Sequence, residues 1–166
     1  FLGDFAAGGT IVKTGTGRFD IVSSMTNNGL HVVNGGTLAF SGNGRQLATN
    51  ATTTAYTLYD GGTFLLDNSV INDTNRLAGP LPGITFQGGT FRFIGKGGEA
   101  SGEELGAATM SGGASEMDVV NGAGAGSSSE IRFSSAVPGY GRSILRPPTA
   151  RSGRRAPIRG FISTPA

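Results

Sequence analysis

His31 is the single imidazole of the chain, and no cysteine accompanies it. A transition-metal centre or a nucleophilic triad would therefore have to form around that one ring. In the run Leu30–Val33 the histidine alternates with Val32, which predicts an exposed strand side chain rather than a ligand or a base. The other groups fit for acid–base work are eleven carboxylates. A polysaccharide-cleaving site needs two carboxyls about 5–9.5 Å apart, or several around calcium beside a basic side chain. Asp60 and Asp67 flank one apolar run, but Asn34 and Gln87 occupy matching positions in its sister runs, so no acidic column develops. Glu103–Glu104 reads as a surface pair in a loop. Glu116 and Asp118 share one strand face, a spacing compatible with a cation but read here as solvated. GTG at Gly15–Gly17 and GKGG at Gly95–Gly98 lack the phosphate-loop spacing and adjoin no helix pattern. The calcium-binding nonapeptide is absent, and the sequons at Asn50 and Asn72 carry no weight. No catalytic, cofactor-binding or metal-ligating residue is assigned, no cofactor is expected, and the chain does not read as an enzyme.

What would position such residues is a repeat. An apolar run, Gly-Gly-Thr and a second apolar run recur as LHVVNGGTLAF (Leu30–Phe40), YTLYDGGTFLL (Tyr56–Leu66) and ITFQGGTFRF (Ile84–Phe93). A degenerate copy runs from Ala108 to Val120, and an incomplete one opens at Ala6. The second glycine of each pair falls at Gly9, Gly36, Gly62, Gly89 and Gly113, at intervals of 27, 26, 27 and 24 residues. Within a copy the residues alternate: Leu38 and Phe40 against Thr37 and Ala39, Phe64 and Leu66 against Thr63 and Leu65. Period-two alternation argues for strands with one buried face. A coil of about 25 residues cannot bury that face alone, but stacked coils can. The spacing therefore predicts a β-solenoid with Phe40, Leu66 and Phe93 as an internal ladder. Gly-Gly would form the corner, where φ is positive and no side chain obstructs the next coil. A row of hairpins with glycine turns is the competing arrangement. Arg18–Val22 and Glu130–Ser134 are further strand candidates, and Ser41–Thr54 and Asn68–Gly83 read as polar loops.

The stretch GGTIVKTGTGRFDIV (Gly8–Val22), followed by SSMTNNGLHVV and NGGTLAF, resembles the autotransporter-associated β-strand repeat family. The resemblance extends from Gly8 to about Ser135, with KTGTG its most telling part. It implies a right-handed parallel β-helix of a passenger-type region, secreted or displayed at the bacterial cell surface. A C-terminal membrane barrel, frequent in that family, would show roughly ten-residue alternating strands, and none is present.

Composition bounds the rest. Thirty of 166 residues are glycine, against roughly 7% ordinarily, without the three-residue period of collagen. No apolar run approaches the roughly 20 residues of a membrane helix, so no membrane insertion by this segment is expected. The first residue is Phe, and the chain reads as a fragment or processed piece. Before Val137 there are 7 basic and 11 acidic residues; after it there are 6 arginines and no acid, so the net +2 hides a strong asymmetry. Residues 137–166 hold most of the prolines and read as a disordered or irregular basic tail, or a frame-shifted end. A nucleic-acid arm is disfavoured because Tyr140 and Phe161 alone could stack on bases.

The expectation is an all-β chain: a right-handed parallel solenoid of about five coils over 1–136 and a tail over 137–166. Its expected role is structural, as a display or adhesion segment. The alternative is a module that binds or degrades polysaccharide. Expected partners are surface glycans or host or cell-surface components, with self-association through the solenoid ends.

Overall fold

The computed structural model describes residues 9–47 and 54–137, and for Arg142–Thr149 the backbone alone. Asp4, Asn50, Tyr140, Phe161 and the remainder of the tail lie outside the described residues. No helix occurs among the described residues. The chain runs through β1 (Val12–Thr14), β2 (Arg18–Ile21) and β3 (Ser24–Met25), then β4 (Leu30–Asn34), β5 (Gly36–Ser41) and β6 (Arg45–Leu47). β7 (Ala55–Tyr59), β8 (Gly62–Asp67) and β9 (Leu77–Ala78) follow, then β10 (Gly83–Gln87), β11 (Thr90–Ile94) and β12 (Ala100–Gly112). β13 (Ala114–Val120), β14 (Ser128–Val137) and β15 (Arg142–Thr149) complete it.

Strands one coil apart pair in parallel. Sheet A has the order β1-β4-β7-β10-β12-β14, sheet B the order β2-β5-β8-β11-β13-β15, and sheet C is β3-β6-β9. This is the parallel β-solenoid expected from the repeat, and the hairpin alternative is excluded. Six rungs at about 4.8 Å span roughly 24 Å along the stack axis.

The Gly-Gly pairs ending at Gly36, Gly62, Gly89 and Gly113 turn the chain from sheet A into sheet B, whereas Gly9, expected as the first of the series, precedes β1 and lies against Gly29, and the first such corner is at Gly15–Gly17. Gly36 has a φ of +62°, and a Cβ there would lie 2.3 Å from the carbonyl oxygens of Gly15 and Gly17 in the preceding coil. Gly89 has ordinary backbone, but its Cβ would sit 2.6 Å from the Tyr59 oxygen. The corner thus demands glycine for two reasons, handedness of the turn and approach of the next coil.

The predicted ladder forms. On sheet B, Leu38, Phe64, Phe91 and Met117 stack in register, and beside them Phe40, Leu66, Phe93 and Val119 do the same. Val33, Leu58 and Phe86 face them from sheet A, all fully buried. Tyr56 lies flat on Phe64, ring centroids 4.1 Å apart, while Phe40 and Phe91 meet Phe64 at 6.0 and 5.9 Å in tilted contacts. Such offset aromatic contacts add about 0.5–1.5 kcal/mol each beyond area burial.

Two features depart from expectation. The stretches read as polar loops contain β6 and β9, so the coil has a third side. Within the stretch expected to be irregular, the backbone of β15 extends sheet B by pairing with β13. Its register slips between Asp118 and Val120, where Pro147 and Pro148 fall, as expected of residues that cannot donate to the ladder.

Candidate functional site

The ionisable groups singled out by type do not converge at the surface. His31 is 1% exposed, which corrects the expectation of an outward side chain: the strand is phased so that Leu30 faces solvent and His31 the interior. The backbone N–H of Ile11 donates to His31 Nδ1 at 3.3 Å, and Gln46 Nε2 lies 3.2 Å from His31 Nε2. Gln46 Nε2 also donates to the Asn27 carbonyl at 2.8 Å, and the Tyr56 hydroxyl donates to Gln46 Oε1. Burial pushes the His31 pKa down to about 4. An added ring proton would meet a donor, either Ile11 N–H or the Gln46 amide, so the ring stays neutral.

Glu103 is likewise buried, at 3% exposure, correcting its reading as half of a surface loop pair. It lies on β12, while its neighbour Glu104 is exposed and reaches Arg132 at 3.6 Å. The Glu103 carboxylate accepts the N–H groups of Arg76 at 2.8 Å and Leu77 at 3.0 Å. A side chain thereby takes the place of a fourth strand on sheet C, whose β9 would otherwise present unpaired donors. Burial raises the Glu103 pKa to about 7 against the opposing pull of those two hydrogen bonds.

Arg76 completes the polar interior and is fully buried. Nε donates to Asn68 Oδ1 at 2.8 Å, Nη1 to the carbonyls of Gly42 at 3.1 Å and of Gly44, and Nη2 to the Ile71 carbonyl at 3.1 Å. Asn68 in turn donates to the Asp73 carbonyl at 2.8 Å. One guanidinium therefore fixes the turn at Gly42–Gly44 and the loop between β8 and β9. Desolvation lowers its pKa, while Asp73, Glu103 and Asp67 favour the charge. The clue that sequence reasoning missed is spacing: Arg76 and Glu103 stand 27 residues apart, one repeat.

Several surface carboxylates are engaged by arginine. Asp20 pairs with Arg18 at 2.6 Å and accepts from Ser41 Oγ at 2.9 Å; Arg18 also approaches Asp67 at 3.5 Å. The Arg18 hydrogen bond holds the Asp20 carboxyl below its ordinary pKa. Glu116 and Asp118 share the outward face of β13 as expected, and Arg92 lies 3.2 Å from Asp118. Among the described residues, no group of three or more His, Asp or Glu side chains is placed to hold a metal ion.

Sheet A shows the opposite outer surface. Val12, Val32, Thr57, Thr85, Thr109 and Val137 stand in one register column across its six strands. Leu30, Ala55 and Gly83 form the column beside it, and Ala107 and Ser135 continue that line. Tyr59 and Gln87 lie on the other flank. None of these positions is charged. Lys13, on β1, turns its ammonium onto the carbonyls of Thr14, Gly15 and Gly35 at 2.7, 2.9 and 3.2 Å. Compared with protein-family models, curated proteins and solved structures, the chain matches none of them.

Proposed function

We propose that the chain is a coil segment of an exported, surface-displayed bacterial protein, of the kind its Gly8–Ser135 stretch resembles. Its role is to extend a rigid rod and present its sides for contact, without catalysis. The observation that carries this reading is the direction in which its unusual groups point. His31, Tyr56, Arg76 and Glu103, whose proton affinities burial shifts, are all within 3% of full burial and serve to join one coil to the next. Groups so enclosed have no route to a polymeric substrate. Outside, Asp20 and Asp67 are met by Arg18 and Asp118 by Arg92.

Antibody raised against the chain tests the reading on intact cells of the source organism. Staining before permeabilisation, lost on brief external protease treatment, is the expected result. Staining confined to permeabilised cells would overturn surface display. Release of reducing ends from pectin-like polymers by the purified chain, abolished by Asp67→Ala, would instead establish the degrading module.

A further inference from the structure

The outer column of sheet A is six β-branched residues deep, and two observations bear on what such a face contacts. The first is periodicity. Rungs repeat at about 4.8 Å, so the β-branched side chains form one straight rank along the stack axis of a net whose flanking ranks are mixed, Leu30, Ala55 and Gly83 on one side and Tyr59 and Gln87 on the other. Val and Thr are nearly the same shape and stiff at χ1, which keeps methyls and hydroxyls in that net. No side-chain hydrogen bond among the described residues engages Thr57, Thr85 or Thr109. The second is the absence of charge. Glu104, Glu130 and Arg132 do occur on β12 and β14, but Glu130 and Arg132 stand opposite Gly102 and Glu104, on the stretch that runs beyond the ends of β4, β7 and β10.

We infer that this face binds an ordered water lattice, the surface of an ice crystal. Charged side chains hold hydration shells that a crystalline water layer cannot accommodate, whereas ranked methyls and hydroxyls order water at a repeat similar to that of the rungs. Other occupants fit less well. The uncharged part of the six strands gives a footprint of roughly 500 Å² per partner, short of the ~800 Å² that a stable dimer buries on each side. Polysaccharide recognition on a flat face calls for stacked aromatic rings, and Tyr59 is the sole aromatic residue among the face positions named above. The inference goes beyond surface display and does not depend on it.

Ice grown slowly from a solution of the labelled chain provides the test, with partition between crystal and liquid as the readout. Wild type should be enriched in the ice relative to a control globular protein. Thr85→Lys should fall to the control level. Thr63→Lys, which places the same charge on the outward face of sheet B, should partition as wild type does. Cooperative melting of each variant by circular dichroism establishes that the fold is kept; if Thr85→Lys fails this, Thr57→Lys one rung away replaces it. Exclusion of wild type from ice, or equal loss in the sheet A and sheet B variants, overturns the inference. So does self-association in sedimentation that disappears with Thr85→Lys, since the face would then belong to a second copy.

Discussion

The interior of the solenoid is built in two ways. Between sheets A and B it is a set of apolar columns in which Leu38, Phe64, Phe91 and Met117 occupy equivalent places. Toward sheet C polar groups enter the interior between Met25 and Leu77, and four of them are held by specific partners: His31 with Gln46, Gln46 with Tyr56, Arg76 with Asn68, Glu103 with the β9 backbone. The apolar side tolerates variety because any side chain of suitable volume removes water from the column. The polar side does not, because a partner lost there leaves a buried donor or acceptor unsatisfied. Apolar columns make stacking favourable, and the polar contacts determine which coil meets which.

Truncation and conservative exchange should separate the two regions most strongly. Arg76→Ala removes the donors to four oxygens and leaves Glu103 without its nearby cation, so a loss of about 3–5 kcal/mol is expected. Phe91→Ala should cost a similar amount, about 3–5 kcal/mol, through its cavity. Conservative changes break the symmetry. Phe91→Leu should cost less than about 1.5–2 kcal/mol. Arg76→Lys should recover little, since an ammonium on a flexible stem cannot reproduce the planar fork that meets Asn68, Gly42 and Ile71 together. Urea unfolding of the four variants measures this; equal tolerance of both conservative changes would dissolve the distinction.

The polar region also predicts a pH dependence that the apolar region cannot produce. The Glu103 pKa rises from 4.5 to about 7 on folding, so between those values the folded state holds more protons than the unfolded state. Its contribution is therefore full below about pH 4.5 and is lost as pH climbs through 7, a change on the order of 3 kcal/mol. His31 runs the other way: its pKa falls from 6.5 to about 4, so its contribution is full above pH 6.5 and is lost as pH falls toward 4. The two slopes oppose each other from about pH 4.5 to 6.5. Glu103→Gln should expose the His31 slope, with stability rising steadily from pH 4 to 6.5 and then level. His31→Gln should expose the Glu103 slope, with stability falling from pH 4.5 to 7. Chemical denaturation across that range reads both, and a flat profile in either variant would contradict the assignment.

Within the polar region, Tyr56 belongs to both sides. Its ring lies on Phe64, while its hydroxyl meets Gln46. Tyr56→Phe keeps the stack and strands the Gln46 carbonyl, which should cost about 1–3 kcal/mol. The change should be smaller in a Gln46→Leu background, where no acceptor is left behind, and a double-mutant cycle measures that coupling.

How much of this was legible in the sequence follows the same division. Phe40, Leu66 and Phe93 recur one period apart beside fixed glycines, and that recurrence is enough to stack them. Sheet C gives no comparable signal, because β3 and β9 are two residues long and cannot show alternation. His31 was misplaced by one residue of phase: Leu30, 59% exposed, looks like the interior residue of the pair, and a shift of one flips every side chain of a strand. Glu103 is hidden by Glu104, since adjacent acids resemble a solvated loop. Its true partner stands a whole coil away at Arg76, where local reading does not look. The charge-free column on sheet A is equally invisible locally, because Val32, Thr57 and Thr85 become neighbours only through the register.

The smallest expected effect lies on the outer surface of sheet B, which carries ion pairs where the Val32–Thr57–Thr85 column of sheet A carries no charge. Arg92 reaches Asp118 at 3.2 Å, but its side chain is 45% exposed, so water and salt already screen the attraction. Arg92→Ala should cost no more than about 1 kcal/mol in low salt, and less than that at 1 M salt, where the screening length is about 3 Å. The same substitution should leave the pH profile between 4.5 and 7 unchanged, because that profile belongs to buried groups. If Arg92→Ala proved as damaging as Arg76→Ala, the outward charges of sheet B would be holding the coils in register as firmly as the inward ones. The distinction between a specific polar interior and a permissive surface would then fail.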